Sequence, residues 1–336
     1  MDDSINKHLI IPCHSAGMGS ILNGAVAGLL YAEITGRTPL IYWNAYCKYM
    51  PTAYETHHNA YTDFFQETST HSIEYLLTRS QKVFPSKTTI LNIDKVIQAY
   101  QGKFADLCST HTDDFDVLLF PLYVSIEAVA QLLPEEHALH GADTSSITRW
   151  IAELYIEIRP EIKQQVDIFW NEHFKNESHV VTLHIREGDK YREAVLPNYN
   201  KYKATADAYL KKHPNAKIFL ASDSDTAINY FQQRYGPRLI TSTATRSSGR
   251  KGVHRMRNDG TKIGNEIVFD AECLSRGTHF IGLDESNVFQ WVCHITKRGR
   301  EHRFTAESVQ HGISDLIFNR RNLKKCIQDT LKEKIR

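Results

Sequence analysis

The sequence predicts an α/β fold made of two Rossmann-like halves, and three observations carry that expectation. A short apolar strand at Leu9, Ile10 and Ile11 is followed by a glycine-bearing turn, a helical stretch and a second strand, the order of a βαβ unit. From residue 180 onward, strand and helix patterns alternate again. A length of 336 residues suffices for two domains that each bury a core.

In the first half, Gly17 and Gly19 form a flexible turn, and from Ser20 the pattern is helical. Ile21, Ala25, Leu29 and Ala32 share one face, and Gly36 suits the C-terminal cap. Residues 39–43 (PLIYW) read as the second strand. Such a turn offers backbone N–H groups and a helix N-terminus to an anion, which makes Gly17 and Gly19 candidate binding positions. Close packing of helix on strand explains the same glycines equally well. Residues 44–70 are rich in Tyr, His and Asn, lack periodicity and read as a long loop near an interdomain cleft. Within it Tyr54, His57, His58 and Tyr61 suit contact with sugar rings, although surface aromatics also simply pack. Residues 89–93 and 117–120 read as further strands. Residues 146–174 read as helix, break at Pro160, helix. The expected domains are 1–175 and 176–305, followed by a helical tail over 306–336.

The second half opens on the stretch that organises the chain. Val180, Val181, Thr182 and Leu183 read as a buried strand. It ends in His184, Arg186, Glu187, Asp189 and Lys190 around Gly188. Five ionisable groups at the carboxyl end of an apolar strand fit a charged ligand, because ligands of open α/β sheets sit outside those ends. Arg186 offers a planar fork for a phosphate. The alternative is a solvated turn closed by an internal salt bridge. A helix over 202–212 and a strand over 217–221 follow, the strand running into Ser222, Asp223, Ser224 and Asp225. Next come a helix over 226–235 and a strand over 238–240. Residues 241–261 form a polar segment with Arg246, Arg250, Lys251, His254, Arg255 and Arg257, able to close over a phosphate or stay solvated. A helix over 265–276, a strand over 279–283 and a helix capped within residues 284–287 complete the half. The basic amphipathic tail packs on the body or makes peripheral contact with a membrane.

Composition narrows the function classes. Hydrophobic residues at 41% and charged residues at 24% are ordinary for a soluble globular chain. A net charge of +1 argues against a nucleic-acid binder. No apolar run is long enough for a transmembrane segment, and the polar N-terminus is unlike a secretory signal. Six cysteines without a CxxC pair read as reduced thiols of a cytoplasmic protein, with no zinc-site spacing among them. No GxSxG elbow is present to support a triad hydrolase.

The charged stretch is similar to the first motif of the alpha-1,6-type fucosyltransferases, His-x-Arg-Arg-x-Asp-Lys followed by Glu-Ala. Here it stands as His184, Arg186, Glu187, Asp189 and Lys190, then Glu193 and Ala194. The family's second motif, an apolar strand ending in a Ser/Thr-Asp pair, is matched by Phe219 through Asp223. Its third is matched by Asp270 in VFDAECLSR and Ser286 in LDESNVFQ. The N-terminal GMGSILNGAVAGLLYAEITGRTPLIYW also resembles the family's first βαβ unit. The matches cover well under half of the chain, and residues 44–174 are unmatched.

The resemblance implies a GT-B architecture of two facing Rossmann-like domains, with GDP-fucose held mainly by the C-terminal one. It implies that Arg186 holds the donor phosphates with His184 nearby, and that Asp223, Asp270 and Ser286 fix guanine, ribose or phosphate. Gly17 and Gly19 are counted with these donor positions. Asp189, Lys190 and Glu193 are implied around the acceptor hydroxyl. The family's second arginine is Glu187 here, and the gap before Glu193 is one residue shorter than in the animal enzyme. Both departures bear on acceptor and linkage more than on the donor.

The residue types suit glycosyl transfer independently. Departure of a nucleoside diphosphate releases negative charge that Arg186 and helix N-termini stabilise without a metal or other cofactor. An inverting displacement needs a base, for which Glu193 and Asp189 are both candidates, with Lys190 tuning the network. Two other readings stay open. Asp223 and Asp225 have the Asp-x-Asp pattern by which metal-dependent GT-A enzymes hold a divalent ion, although Asp225 as a helix N-cap explains it more simply. A non-catalytic protein binding GDP-sugar or glycan is the second, with Glu187 as its best argument. The expected partners are a nucleotide-sugar donor and a glycan or lipo-oligosaccharide acceptor.

Overall fold

Five consecutive buried residues, His8–Pro12, form β1, and strands on both sides pair with it in parallel. The computed structural model describes residues 7–100, 103–190, 198–248, 252–253 and 259–296. The described residues within Met1–Lys163 and Asn258–Val268 make one compact unit, and those within Gln164–Arg257 and Phe269–Arg336 make another. Each unit holds one four-stranded parallel sheet, so the α/β class with two Rossmann-like units is the observed architecture.

In the first unit β1 is followed by α1 (Met18–Thr35), β2 (Thr38–Tyr42), α2 (Ile73–Arg79) and β3 (Val83–Phe84). Then come α3 (Ile93–Ala99), α4 (Phe104–Cys108), β4 (Val117–Leu119), α5 (Ile126–Ala130) and α6 (Thr144–Tyr155), and α7 (Pro160–Phe174) belongs to the second unit from Gln164 onward. The sheet order is β2-β1-β4-β3, so the direction of winding reverses between β1 and β4. Strands buried on both faces read as apolar runs, as β4 does and as β1 does from Leu9 onward. Helix α1 lies close on β1 because Gly28 has no side chain: a Cβ there would stand 2.7 Å from Ile11 Cγ2. Gly36 ends α1 in the left-handed region at φ 63°, with its N–H on the carbonyls of Ala32 and Glu33. Ile10, Leu40, Leu76, Ile97 and Leu119 belong to the core on one side of this sheet. Each such side chain, fully buried, contributes about 1.5–3 kcal/mol.

Arg37 follows that cap and is only 4% exposed. Its guanidinium donates to the carbonyls of His8 at 3.3 Å, Phe115 at 3.1 Å and Asp116 at 3.5 Å, and also to that of Thr112. The charge thus closes four backbone acceptors and ties the start of β1 to the segment entering β4.

The second unit contains β5 (Val180–Ile185), α8 (Tyr199–Lys212), β6 (Lys217–Ser222), α9 (Asp225–Tyr235) and β7 (Leu239–Ile240). It is completed by α10 (Gly260–Ser275), whose residues from Phe269 belong here, β8 (His279–Ile281) and α11 (Asn287–Ile295). The order β7-β6-β5-β8 reverses between β5 and β8. Along β5, Val181, Leu183 and Ile185 join Tyr202, Ala206 and Phe231 of α8 and α9. The strand period of two puts Thr182 on the opposite face, where its hydroxyl donates to the Leu274 carbonyl of α10 at 2.9 Å.

Several element boundaries differ from the sequence reading. Helix α1 begins at Met18, and Gly19 lies buried inside it rather than in a turn. Residues 89–92 form a turn leading into α3, not a strand. Asn92 closes that turn, accepting from the Thr89 N–H at 2.8 Å and donating to the Lys87 carbonyl at 2.8 Å, while Leu91 is 90% exposed. Helices α8 and α10 start three and five residues earlier than expected. No helix among the described residues is long and apolar enough to cross a membrane. The expected tail over 306–336 lies outside the described residues.

Candidate functional site

The apolar run of β5 delivers its charged residues at the carboxyl edge of the sheet, on the strand beside which the winding reverses. His184 is the last of them still inside the strand, 6% exposed, with Nδ1 buried and unpartnered. Burial, with the nearby Arg186 charge second, pushes its pKa down to about 3, so the imidazole is neutral at neutral pH.

Just beyond the strand, Arg186 lies between two carboxylates. Its Nη2 donates to Asp189 Oδ1 at 2.7 Å, and its Nη1 is paired with Asp223 Oδ2. Asp223 comes from the end of β6, and its Oδ1 accepts the Glu187 N–H at 2.8 Å. The Ser222 hydroxyl donates to the Ile185 carbonyl at 2.7 Å, fixing the two strand ends to each other. Gly188 makes this closure sterically feasible. Its φ is 35°, and a Cβ would stand 2.5 Å from Asp223 Oδ2 and 2.6 Å from Arg186 Nη1. Asp189 and Lys190 are buried, and the Lys190 N–H donates to the Glu187 carbonyl at 2.8 Å. The Glu187 carboxylate accepts the Tyr199 hydroxyl at 2.7 Å; burial first, then this acceptor, raises the Tyr199 pKa.

A third segment joins this edge. The Ser247 N–H donates to the Asp223 carbonyl at 2.9 Å, and the Asp225 N–H donates to the Ser247 carbonyl at 3.2 Å. Asp225 is therefore not the N-cap expected from the sequence. Ser224 is: its backbone is extended and its Oγ accepts the Ala227 N–H at 3.3 Å, leaving Asp225 in the first turn of α9. Beyond β8, Ser286 is buried at the N-cap of α11, and its side chain makes no capping bond.

The structure thus brings Arg186, Asp189 and Asp223 into one ionic cluster, with His184 and Lys190 buried on the same segment. Ser286 follows the strand that pairs with β5, and Asp270 is half-buried on α10. Gly17 and Gly19 belong to the first unit, where the Met18 N–H donates to the Tyr49 hydroxyl at 2.8 Å. Glu193 and the basic residues Arg250, Lys251, His254, Arg255 and Arg257 lie outside the described residues.

In the first unit, His14 Nε2 and Ser20 Oγ are 3.0 Å apart, and the Tyr123 ring lies 4.8 Å from that of His14. Tyr123 is exposed with φ 61°, a conformation that non-glycine residues rarely adopt. Of the aromatics expected to meet sugar rings, Tyr54 is exposed, but Tyr61 has no exposed surface. It stacks on Phe65 at 5.0 Å and meets Trp43 edge-on, so it belongs to the core. His58 is paired with Asp63 at 2.9 Å. Tyr199, Ser247 and the His14–Tyr123 contact are what the sequence reading missed. They are contacts between residues twelve or more positions apart, which periodicity does not report, and only the basic character of 241–261 hinted at any of them.

No protein-family model matches the chain, and no curated protein matches it in sequence. Solved structures do match. NodZ alpha-1,6-fucosyltransferase soaked with GDP-fucose is 17% identical, over 87% of this chain and 92% of that one, with a TM-score of 0.53. POFUT1 in complex with GDP is 12% identical, over 90% and 98%, with a TM-score of 0.54. A mutant of Arabidopsis thaliana FUT1 in complex with GDP is 9% identical, over 89% and 70%, with a TM-score of 0.53. The chain therefore has the two-unit GT-B fold of these proteins.

Proposed function

We propose that the chain is an inverting, metal-independent glycosyltransferase that moves fucose from GDP-fucose to a hydroxyl of a glycan or lipo-oligosaccharide. The observation that carries this reading is the Arg186 cluster at the carboxyl edge of β5, in a fold shared with structures crystallised with GDP or GDP-fucose. In the proposed step the bond from the sugar's anomeric carbon to the β-phosphate oxygen breaks, and its electron pair leaves with GDP. A bond from the acceptor oxygen forms on the opposite face, and the hydroxyl proton passes to a carboxylate. Arg186 stabilises the departing diphosphate with the guanidinium charge that it shares between Asp189 and Asp223. Asp189 is buried and already committed to Arg186, which favours Glu193 as the proposed base.

Neutral His184 backs Arg186 without adding charge, and Lys190 steadies the loop. Asp270 and Ser286 are assigned to guanine, ribose or phosphate. Asp223 has one carboxylate oxygen on Arg186 and the other on a backbone N–H, which supports a positioning role over a metal-ligand pair with Asp225. The proposed setting is the cytoplasm, with the basic C-terminal segment available for peripheral membrane contact.

Calorimetric titration with GDP, GDP-fucose, GDP-mannose and UDP-sugars, with and without EDTA, tests this reading. GDP-selective binding that survives EDTA is expected, and binding of UDP-sugars only with metal would overturn it. Arg186→Ala should lower kcat by about 10²–10³, the cost of losing one charge-stabilising donor; unchanged turnover would remove Arg186 from the chemistry.

A further inference from the structure

We propose that Arg246 is a second phosphate-binding cation of the donor site, taking the diphosphate together with Arg186; the inference rests on the donor reading above. Its starting point is a charge imbalance. Arg186 is shared between Asp189 and Asp223, and the Glu187 carboxylate is held nearby by Tyr199. A diphosphate brought to this edge adds negative charge where Glu187, Asp189 and Asp223 already stand against only Arg186 and Lys190.

The segment after β7 supplies the missing cation. Ser247 extends the sheet edge by one more parallel bridge, to Ser224, with backbone bonds to Asp223 and Asp225 on either side. Arg246 is the residue immediately before that bridge. Five residues past it, the same segment returns to the end of β5. There the Gly252 Cα lies 3.2 Å from where a Cβ on Gly188 would stand. Residues 246–247 and 252 therefore flank the Arg186 loop from the β6 end and the β5 end.

Arg246 itself is half-buried and incompletely satisfied. One Nη donates to the Ser242 carbonyl, and Nε is buried without a partner. No carboxylate pairs with it among the described residues. Removing a guanidinium from water without a counter-charge is unfavourable unless an anion completes it. Its planar set of donors matches phosphate oxygens.

The test is calorimetry on the full chain with GDP, guanosine and inorganic pyrophosphate. The variants are Arg246→Ala, Arg246→Gln and Arg246→Lys, with Arg234→Ala as a surface-charge control on α9. Arg246→Ala and Arg246→Gln should weaken GDP and pyrophosphate about tenfold or more and leave guanosine unchanged, as expected for a lost charge-assisted contact. Arg246→Lys should recover part of the loss, and Arg234→Ala should bind as wild type. GDP binding unaltered in Arg246→Gln, or guanosine lost in the same proportion as GDP, would overturn the assignment. If wild type binds pyrophosphate and not GDP, the guanine part of the donor reading falls while Arg246 is judged on pyrophosphate. If it binds neither, both fall.

Discussion

A neutral imidazole sealed behind a guanidinium makes His184 an acid-sensitive point of the fold. Its folded-state pKa of about 3 lies below the ordinary histidine value of about 6.5, because burial and Arg186 both oppose a second positive charge. Above about pH 6.5 the folded and unfolded chains hold this group in the same neutral state. As pH falls through 6.5 the unfolded chain takes up a proton that the folded chain refuses, so stability is lost from there down towards pH 3. The linkage slope is about 1.4 kcal/mol per pH unit, or about 2 kcal/mol between pH 7 and pH 5. Urea midpoints at those two pH values should therefore move closer together in His184→Asn than in wild type, whatever the variant costs at pH 7. Equal displacement in both proteins would show that His184 does not titrate this way. The residue was legible in the sequence as part of a charged cluster, but its neutrality was not. The sequence shows a His two positions from an Arg, whereas the burial of that His emerges only from the fold.

Among elements, the turn from α1 into β2 shows how a short motif acts at a distance. The TGRT stretch reads as the end of a helix, and Gly36 fulfils that role in the left-handed region. Arg37 does more, because its guanidinium is the donor for four backbone carbonyls on β1 and the approach to β4. Removing it leaves buried acceptors unsatisfied and a cavity between the strands. Arg37→Ala should cost about 3 kcal/mol or more in denaturant unfolding, with Arg37→Lys recovering only a fraction. A loss under 1 kcal/mol would mean that water replaces the guanidinium there. Long elements with clear periodicity, such as α1, β5 and α9, were readable because their apolar spacing is also their buried face. Residues 89–92 were not: the run is apolar enough for a strand, and only the Asn92 side chain turns it into a corner. The start of α10 was hidden because Gly260 and Gly264 look like loop residues. In the fold they are helical glycines, pressed against the Met50 carbonyl and the Phe64 ring where a side chain would collide.

For the molecule as a whole, each unit repeats one plan, a parallel sheet whose winding reverses beside its first strand. The plan explains why the candidate site was legible in outline: the carboxyl end of β5 is where such sheets bind ligands, and the sequence places its charges there. Which carboxylate holds which cation was not legible, since Asp189 is three residues from Arg186 and Asp223 is thirty-seven. That ionic cluster also sets an expectation for the intact chain. A ligand that binds only the folded state stabilises it by RT ln(1 + [L]/Kd), about 2.7 kcal/mol at a hundredfold excess over Kd. GDP should therefore raise the melting temperature by several degrees, since each kcal/mol is worth about 2–4 °C in domains of roughly 150–250 residues. The increment should shrink as salt is added, because the proposed diphosphate contacts are ionic. It should be unchanged by EDTA and largely lost in Arg186→Ala. A thermal scan that shows no shift with GDP, or one that appears only with a divalent cation, would remove the Arg186 cluster as the seat of a metal-independent donor site.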